Sequence, residues 1–245
     1  MIEVKNVSKY FNNVPVLKNV SVNFEQGKTN LIIGQSGSGK TVLLKTIVGL
    51  LEVDKGKIYY DNIEFTSLNF EKRKKIRQEI GMLFQGAALF DSVSVEENVM
   101  YPMNMFTDMS LEEKKDRVNL CLKKVNIENA NKLYPSELSG GMKKRVAIAR
   151  AIILNPRYLF CDEPDSGLDP ITTIIIDNLI KEITLEYNTT TIINTHDMNS
   201  VMGIGEKVVF IYQGEKCWEG NKDEILHTDN EKLNNFVFAT KFYKK

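Results

Sequence analysis

The stretch that decides the fold reads Leu31-Ile32-Ile33-Gly34-Gln35-Ser36-Gly37-Ser38-Gly39-Lys40-Thr41-Val42. An apolar, strand-like run leads into a glycine-rich turn, and a segment with helical patterning follows it. Gly-x-x-x-x-Gly-Lys-Thr between a strand and a helix is typical of a loop that binds nucleotide phosphates (Walker A). In such a loop backbone N–H groups converge on the phosphates, the lysine reaches the terminal ones, and the threonine hydroxyl binds Mg²⁺. We therefore expect residues 34–42 to bind a nucleotide, although kinases, GTPases and motor ATPases all share this loop.

Two neighbouring acids follow another apolar run, Tyr158 to Cys161. Asp162 and Glu163 are then expected at the carboxyl end of a buried strand, where ligands bind in open α/β sheets. Because side chains alternate along a strand, one carboxylate can meet Mg²⁺ while the other faces the attacking water. We assign Asp162 to the metal and Glu163 to the water. A lone base-like acid beside the terminal phosphate suits hydrolysis, whereas phosphoryl transfer needs an acceptor site, so the pattern favours an ATPase over a kinase.

Composition is that of an ordinary globular protein. Of 245 residues 42% are hydrophobic and 26% are charged, and 32 Lys plus Arg balance 32 Asp plus Glu. A net charge of zero gives no overall attraction to nucleic acid, so no nucleic-acid partner is expected. The longest apolar run, Val208 to Tyr212, is too short to cross a bilayer, and Met1 to Lys5 do not resemble a secretion signal. We therefore expect a cytoplasmic protein whose three cysteines, Cys121, Cys161 and Cys217, are buried thiols.

Strand-like and helix-like patterns alternate over most of the chain, which predicts a parallel sheet with crossover helices. An antiparallel edge is predicted from three N-terminal runs, Ile2 to Val7, Val20 to Phe24 and Lys57 to Tyr60. No strand-like run occurs between Phe90 and Pro156, where capping boxes at Ser94 to Glu97 and Ser110 to Glu113 indicate helix starts. We therefore predict an inserted helical subdomain over about residues 90–156.

Leu138-Ser139-Gly140-Gly141-Met142 opens a helical run before Asp162, and with this stretch the chain resembles the ATP-binding subunits of ABC transporters. The resemblance rests on five motifs in order: Walker A at Gly34 to Thr41, the signature at Leu138 to Gly141, Walker B at Tyr158 to Glu163, the D-loop at Ser166 to Asp169, and a histidine at His196. It implies an α/β fold, a P-loop NTPase (RecA-like) core with an antiparallel β edge and a helical subdomain that carries the signature. It also implies an ATPase domain over residues 1–228 and a C-terminal helical tail over residues 229–245.

The same resemblance implies ATP and Mg²⁺ as cofactors and a homodimer with composite sites. The N-terminus of the signature helix, with Ser139, Gly140 and Gly141, can bind an anion, and in the family it closes on the ATP held by the other subunit. Asp169 of the D-loop is also assigned to the nucleotide. A second copy of the chain is therefore an expected partner.

The resemblance also implies roles for residues at other positions that match the family's motifs. Phe11 is expected to stack on adenine, with Tyr10 as the alternative. Gln85 is expected to contact both the metal and the water, which adds it to Thr41 and Asp162 as a metal ligand. The resemblance thus implies a catalytic set of Lys40, Gln85, Glu163 and His196.

A narrower resemblance, to the Mla or Mce-type lipid transporter ATPases, rests on Gly81 to Ser92, Met142 and Leu168 to Thr172. It implies a subunit that drives phospholipid transport between bacterial membranes, peripheral on the cytoplasmic side of the inner membrane. Its implied partners are an integral membrane permease and an Mce-domain lipid-binding protein. The alternatives are the ATPase of another ABC importer, such as one for amino-acid uptake, and a soluble ABC ATPase acting on DNA or ribosomes.

Two features lie outside these motifs. His227 has no chemical neighbours in sequence and is predicted to be a surface side chain. The tail carries the aromatic residues Phe236, Phe238, Phe242 and Tyr243. We expect them to pack on the chain's own core, with contact to the second ATPase subunit or a small regulatory partner as the alternative.

Overall fold

The computed structural model describes residues 1–238. Its strands are β1 (Ile2–Phe11), β2 (Val14–Phe24), β3 (Thr29–Ile33), β4 (Lys55–Tyr60), β5 (Ile63–Glu64), β6 (Ile80–Leu83), β7 (Tyr158–Asp162), β8 (Thr190–Thr195), β9 (Lys207–Tyr212) and β10 (Glu215–Gly220). Its helices are α1 (Lys40–Val48), α2 (Phe70–Gln78), α3 (Val95–Phe106), α4 (Leu111–Lys124), α5 (Gly140–Ile152), α6 (Pro170–Tyr187), α7 (Met198–Ile204) and α8 (Glu231–Val237). Strands and helices alternate, as expected for an α/β protein.

A six-stranded sheet in the order β10-β9-β3-β8-β7-β6 forms the centre of the molecule. Neighbours from β9 to β6 pair in parallel, and β10 is antiparallel to β9. Ile33 pairs with Thr195, and Asp162 pairs with Asn194, so the carboxyl ends of β3, β7 and β8 lie side by side. In an open α/β sheet this edge is the place where ligands bind.

The strands β1, β2, β4 and β5 form a separate antiparallel sheet. β1 and β2 are longer than the sequence predicts, because their pairing extends up to the turn at Asn12 and Asn13, where Phe11 pairs with Val14. The φ angles of the two asparagines, 49° and 63°, are left-handed, a pair of values that matches the twist of a hairpin and that asparagine tolerates. The predicted antiparallel edge is therefore a sheet of its own.

The two faces of the six-stranded sheet bury different partners. Ile32 and Phe160 lie on one face, in a core shared with α1 and the antiparallel sheet. Leu31, Leu159 and Ile193 lie on the opposite face, in a core shared with α3, α4, α5 and α6. Burial on both faces explains why the central strands are nearly continuous apolar runs.

The helices α3, α4 and α5 lie between β6 and β7, and residues 84–157, all of which the structure describes, contain no strand. Both capping boxes form, at Ser94 with Glu97 and at Ser110 with Glu113. These reciprocal bonds satisfy N–H groups that a helix start otherwise leaves unpaired. The helical region thus interrupts the sheet without contributing a strand to it.

The helix α8 closes the described part of the chain. Leu233 and Val237 are buried, and the rings of Phe236 and Phe210 lie 5.5 Å apart, so this part of the tail packs on the chain's own core. Phe242 and Tyr243 lie outside the described residues.

Smaller predictions have mixed outcomes. His227 is exposed. Cys121 and Cys161 are buried, whereas Cys217 is only partly buried because it lies on the edge strand β10, so the expectation of three buried thiols was wrong for that residue. None of the helices within residues 1–238 has the length and apolar character to cross a membrane.

Candidate functional site

The glycine-rich loop connects the end of β3 to the first turn of α1. Gly34 has a φ of +151°, and a Cβ atom there would lie 2.3 Å from the carbonyl oxygen of Ile211. Gly39, directly before α1, has a φ of +107°. Side chains are excluded at both positions, which fixes the path of the loop. No side chain caps the N-terminus of α1, so the N–H groups of its first turn are available to an anion.

Lys40 lies inside this loop with 5% of its surface exposed. Its ammonium group donates to the carbonyl oxygens of Gly34 (2.8 Å) and Gln35 (3.1 Å). Burial lowers the pKa of Lys40, and the carboxylates of Glu163 and Asp162 oppose that shift. Phosphate oxygens carry more charge than carbonyl oxygens, so Lys40 is placed to exchange these partners for a nucleotide.

Asp162, at the end of β7, is 4% exposed. Its carboxylate accepts hydrogen bonds from the Thr41 hydroxyl (3.2 Å) and the Asn194 amide (3.0 Å). The Oγ atom of Ser38 in the loop is buried without a hydrogen-bond partner. Among residues 1–238 no group of three His, Cys, Asp or Glu side chains could hold a metal ion. Mg²⁺ takes one or two protein oxygens and completes its shell with substrate phosphates and water, so Thr41 and Asp162 fit a Mg²⁺–nucleotide complex.

Glu163 follows Asp162 but has a left-handed backbone, with a φ of 46°. Its N–H group donates to the carbonyl oxygen of Asn194 at 3.0 Å. Its carboxylate accepts a hydrogen bond from the Gln85 amide at 2.7 Å, and Nδ1 of His196 lies 3.6 Å from the other carboxylate oxygen. The backbone turn therefore separates the environments of the two acids, and residues other than glycine, asparagine and aspartate adopt this conformation uncommonly.

These groups surround one cavity of about 1420 Å³. The predicted residues that line it are Gln35, Ser36, Gly37, Gly39, Lys40, Thr41, Val42, Gln85, Glu163 and His196. Gly34, Ser38 and Asp162 are buried beneath this lining. The structure therefore brings the predicted phosphate, metal and hydrolytic residues together at the carboxyl edge of the sheet.

The signature residues lie elsewhere. Ser139 caps α5 by accepting a hydrogen bond from the N–H group of Met142 at 3.2 Å, and Gly140 is exposed. Together with Gly141 and Asp169 they line a separate pocket of about 290 Å³. The Asp169 carboxylate caps α6, accepting from two N–H groups at 3.0 Å. One chain thus does not bring its own signature to its own phosphate loop.

Phe11, the predicted adenine-stacking residue, lies at the end of β1 with 43% of its surface exposed. The ammonium group of Lys9 lies 5.5 Å from the centre of its ring. Neither Phe11 nor the half-buried Tyr10 lines the cavity, whereas Val16 of the same hairpin does. The adenine contact of Phe11, and the alternative at Tyr10, stay predictions.

The sequence profile of the ABC transporter family matches residues 17–166, which is more than half of the chain. This chain belongs to the ABC transporter ATP-binding family. The methionine import ATP-binding protein MetN of Clostridioides difficile (strain 630) is 40% identical to this ABC chain over 237 residues, which are 97% of the chain and 74% of MetN. The probable ribonucleotide transport ATP-binding protein mkl of Mycobacterium leprae (strain TN) is 33% identical over 236 residues, covering 96% and 68% respectively.

Among solved structures, the ATP-binding cassette MJ0796, a dimer in a post-hydrolysis state bound to ADP and Pi, matches the ABC chain with a TM-score of 0.83 and 35% identity. The match covers 91% of this chain and 99% of that cassette. These findings confirm the predicted P-loop α/β fold, ATP hydrolysis, and ATP with Mg²⁺ as the ligands. They do not extend to lipid transport, because none of the three similar proteins is named for a lipid.

Sequence reasoning missed three residues that hold this ABC site together. The side-chain amide of Asn194 donates a hydrogen bond to Asp162, and its backbone carbonyl accepts one from the N–H group of Glu163. Asp165 accepts a hydrogen bond from Thr195 at 2.6 Å, and the ammonium group of Lys144 donates to the carbonyl oxygen of Glu163 at 3.1 Å. Asn194 could have been noticed as an amide in an apolar strand, whereas Lys144 stands in a basic stretch where nothing distinguishes a buried lysine from an exposed one.

Proposed function

We propose that this chain hydrolyses ATP to drive an ABC importer for amino acids, with methionine as the leading substrate. The observation that carries the substrate class is the 40% identity, over 97% of the chain, to the methionine import ATP-binding protein of Clostridioides difficile. Phospholipid transport rests on Met142 and two short segments, and no similar protein named above supports it. Amino-acid import therefore replaces it as the main proposal, with phospholipid transport and an Mce-domain partner as the alternative.

The geometry of the cavity supports the proposed residue roles. Lys40 and the N-terminus of α1 bind the phosphates, while Thr41, Asp162 and the side-chain oxygen of Gln85 would hold Mg²⁺. When bound, the ion would neutralise phosphate charge and orient the terminal phosphate. Glu163, fixed by Gln85 and flanked by His196, orients the attacking water and accepts its proton.

The position of the signature supports a homodimer. Ser139, Gly140 and Gly141 line a pocket apart from the phosphate loop, so a second copy has to supply them to each bound nucleotide. A twofold axis makes the exchange reciprocal, which gives two composite sites per dimer. The similar cassette MJ0796 is itself dimeric, which supports this arrangement.

An apolar groove of about 420 Å³ supports an integral membrane permease as partner. The large apolar side chains that it exposes are Phe84, Phe90, Tyr101, Met105 and Phe106, each with 36% to 58% of its surface accessible. Such a patch marks a site for another protein, and its shape suits an amphipathic helix. Docking there would hold the chain on the cytoplasmic side of the cell membrane.

Uptake in cells that lack the gene tests the substrate. Wild-type chain should restore uptake of labelled methionine, and Glu163→Gln should not. Asp116→Asn, a change of an exposed acid on α4, is the matched control and should restore uptake. Methionine uptake that is equal with and without the chain would contradict the proposal, and a loss of phospholipid transfer in the same cells would favour the alternative.

A further inference from the structure

Lys144 is a buried cation that contacts the backbone of both residues proposed to handle the attacking water. It lies on α5, the helix that Ser139 caps, and 5% of its surface is exposed. Its ammonium group donates to the carbonyl oxygen of Gln85 and to that of Glu163, the latter at 3.1 Å. One side chain of the helical region thus joins two segments that follow separate strands of the sheet.

Packing alone does not account for a lysine at this depth. Val146 and Ile148, nearby on the same helix, are apolar and buried. Loss of hydration lowers the pKa of Lys144, and carboxylates including Asp165 and Glu163 oppose the shift. A buried ammonium group is tolerated only where hydrogen-bond acceptors compensate it, so the two carbonyl contacts are essential to its presence.

The carbonyl contact at Glu163 falls on a strained residue. With a φ of 46°, Glu163 adopts a conformation that persists only where the surroundings enforce it. Its N–H group donates to the carbonyl oxygen of Asn194, and its C=O group accepts from the N–H group of Ser166 at 3.2 Å and from Lys144 at 3.1 Å, so both polar backbone groups are held. The direction of the Glu163 side chain depends on this backbone, and hence on Lys144.

The carbonyl contact at Gln85 is part of a wider attachment of the same loop to α5. Ala87 and Ala88 have φ angles of 63° and 48°, which are also left-handed. Arg150, further along α5, donates to the carbonyl oxygens of both at 2.8 Å. The helix that begins at the signature therefore holds the loop after β6 by its backbone, through two cations.

We propose that Lys144 is a positioning residue for hydrolysis, which sets the backbone of Glu163 and Gln85 so that their side chains meet. The inference rests on the proposed hydrolytic roles of those two residues. Because α5 starts at the signature, Lys144 also links engagement of the signature by a second copy to the geometry of the hydrolytic pair. It acts through Gln85 and Glu163 and does not itself need to touch the nucleotide.

The test compares Lys144→Met, which keeps the length of the side chain but removes its donors, with Lys144→Arg, which keeps the charge. We expect kcat of Lys144→Met to fall by about 10- to 100-fold, the scale of a small misplacement of a catalytic group. The Kd for a fluorescent ATP analogue with Mg²⁺ should stay within about twofold, since Lys40 and the loop are untouched. Lys144→Arg should recover most of the loss. If Lys144→Met does not fold, Lys144→Gln replaces it, because the amide can still donate to one carbonyl, and an intermediate kcat is expected.

Arg117→Met is the matched control. Arg117 on α4 also donates to a backbone carbonyl, that of Ile153 at 3.1 Å, but neither residue lines the cavity. Arg117→Met should lower the melting temperature while leaving kcat near that of the wild type. Equal effects of Lys144→Met and Arg117→Met on melting temperature, with kcat unchanged in both, would show a purely structural role and overturn the proposal.

A double-mutant cycle sharpens the result. In single-turnover experiments Lys144→Met should slow hydrolysis little further once Glu163→Gln is present, because both changes damage the same group. Fully additive effects would overturn the inference even if each single change is damaging. A wild-type chain without any ATP turnover would instead contradict the proposed function, so the two failures are distinguishable.

Discussion

The phosphate cavity and the signature pocket of this ABC ATPase differ in how far one chain completes them. In the cavity Lys40 and Asp162 are almost fully buried, and both are already hydrogen-bonded within the chain. At the signature Ser139 and Gly140 are exposed, and the hydroxyl of Ser139 serves only to cap α5. The phosphate cavity is thus preformed, whereas the signature pocket presents exposed hydrogen-bond donors at the N-terminus of α5.

This difference indicates that each copy binds a nucleotide in its own cavity and supplies its signature to the nucleotide of its partner. Preformed groups bind their ligand without reorganisation, which suits nucleotide binding by a single chain. An exposed helix N-terminus becomes effective only when an anion is brought to it and water is excluded. Substitutions in the cavity should therefore impair the ATP site of the chain that carries them. Substitutions at the signature should instead impair the ATP site of the partner chain.

Lys40→Ala should have the largest effect. It removes the buried cation of the loop, so nucleotide binding should weaken and turnover should fall by about 10³-fold or more, as expected for loss of a group that stabilises the transferring phosphoryl. Phosphate release and titration with a fluorescent nucleotide measure the two effects. Lys45→Ala, at the other end of α1, removes the same charge and should leave both unchanged. Substantial turnover by Lys40→Ala would mean that the loop is not the phosphate site.

Glu163→Gln should be nearly as severe for turnover but should spare binding. The amide has the size of the carboxylate but is a poor base, so turnover should fall by about 10²- to 10³-fold while ATP stays bound. Dimers should then accumulate with ATP and Mg²⁺, which sedimentation measures. Glu182→Gln, an exposed position on α6, is the control and should behave as wild type. Near-normal turnover by Glu163→Gln would remove the assignment of Glu163.

Mixing two inactive variants tests the division between the regions directly. Gly140→Asp places a carboxylate at the signature, and its Cβ would meet Leu168 at an ordinary 3.7 Å, so the fold should tolerate it. A dimer of Lys40→Ala with Gly140→Asp has one site with both defects and one site with neither. An equal mixture should recover about a quarter of the wild-type turnover, because half of the dimers are mixed and each has one intact site.

Gly140→Ala is the matched control for that experiment, since it adds the Cβ without the charge and should stay active. A mixture as inactive as its two components would show that the signature serves its own chain. A movement within one chain would then have to bring its signature pocket to its own phosphate cavity.

The motifs could be predicted from sequence because their chemistry needs neighbouring residues. The backbone N–H groups around Gly34 to Thr41 and the acids Asp162 and Glu163 act as contiguous units, so local spacing is sufficient to find them. The hairpin of β1 and β2 was predicted too short, because Asn12 and Asn13 mark a turn in sequence but do not reveal that pairing extends up to it.

The supporting residues could not be predicted in the same way. The roles of Lys144 and Asn194 depend on contacts between residues far apart in the chain, which no local pattern encodes. The left-handed conformation of Glu163 is equally invisible in sequence, since most other left-handed residues here are glycine or asparagine, which favour it intrinsically. Tertiary contacts, not propensity, enforce it at Glu163.

The smallest predicted effect is on the free energy of unfolding, and it depends on a buried acid, Asp177. Asp177 lies on α6, the helix that begins beside the signature pocket, and 5% of its surface is exposed. Burial raises the pKa of Asp177 from 3.8 to about 7, and Asp165, which lines the cavity, adds repulsion. Between about pH 4 and pH 7 the unfolded chain releases this proton while the folded chain retains it, so this group's contribution to stability falls across that window.

Asp177→Asn removes the titration while keeping the shape of the side chain. Relative to wild type, the variant should gain stability as pH rises from about 4 to 7 and hold the gain above pH 7. The gain at pH 8 should be about 2 to 4 kcal/mol, measured as the difference in urea unfolding free energy. Asp116→Asn on α4 should show no such trend. A difference between Asp177→Asn and wild type that does not vary with pH would mean that the carboxyl group is ionised in the folded chain, and that Asp165 and Asp177 tolerate two charges behind the cavity.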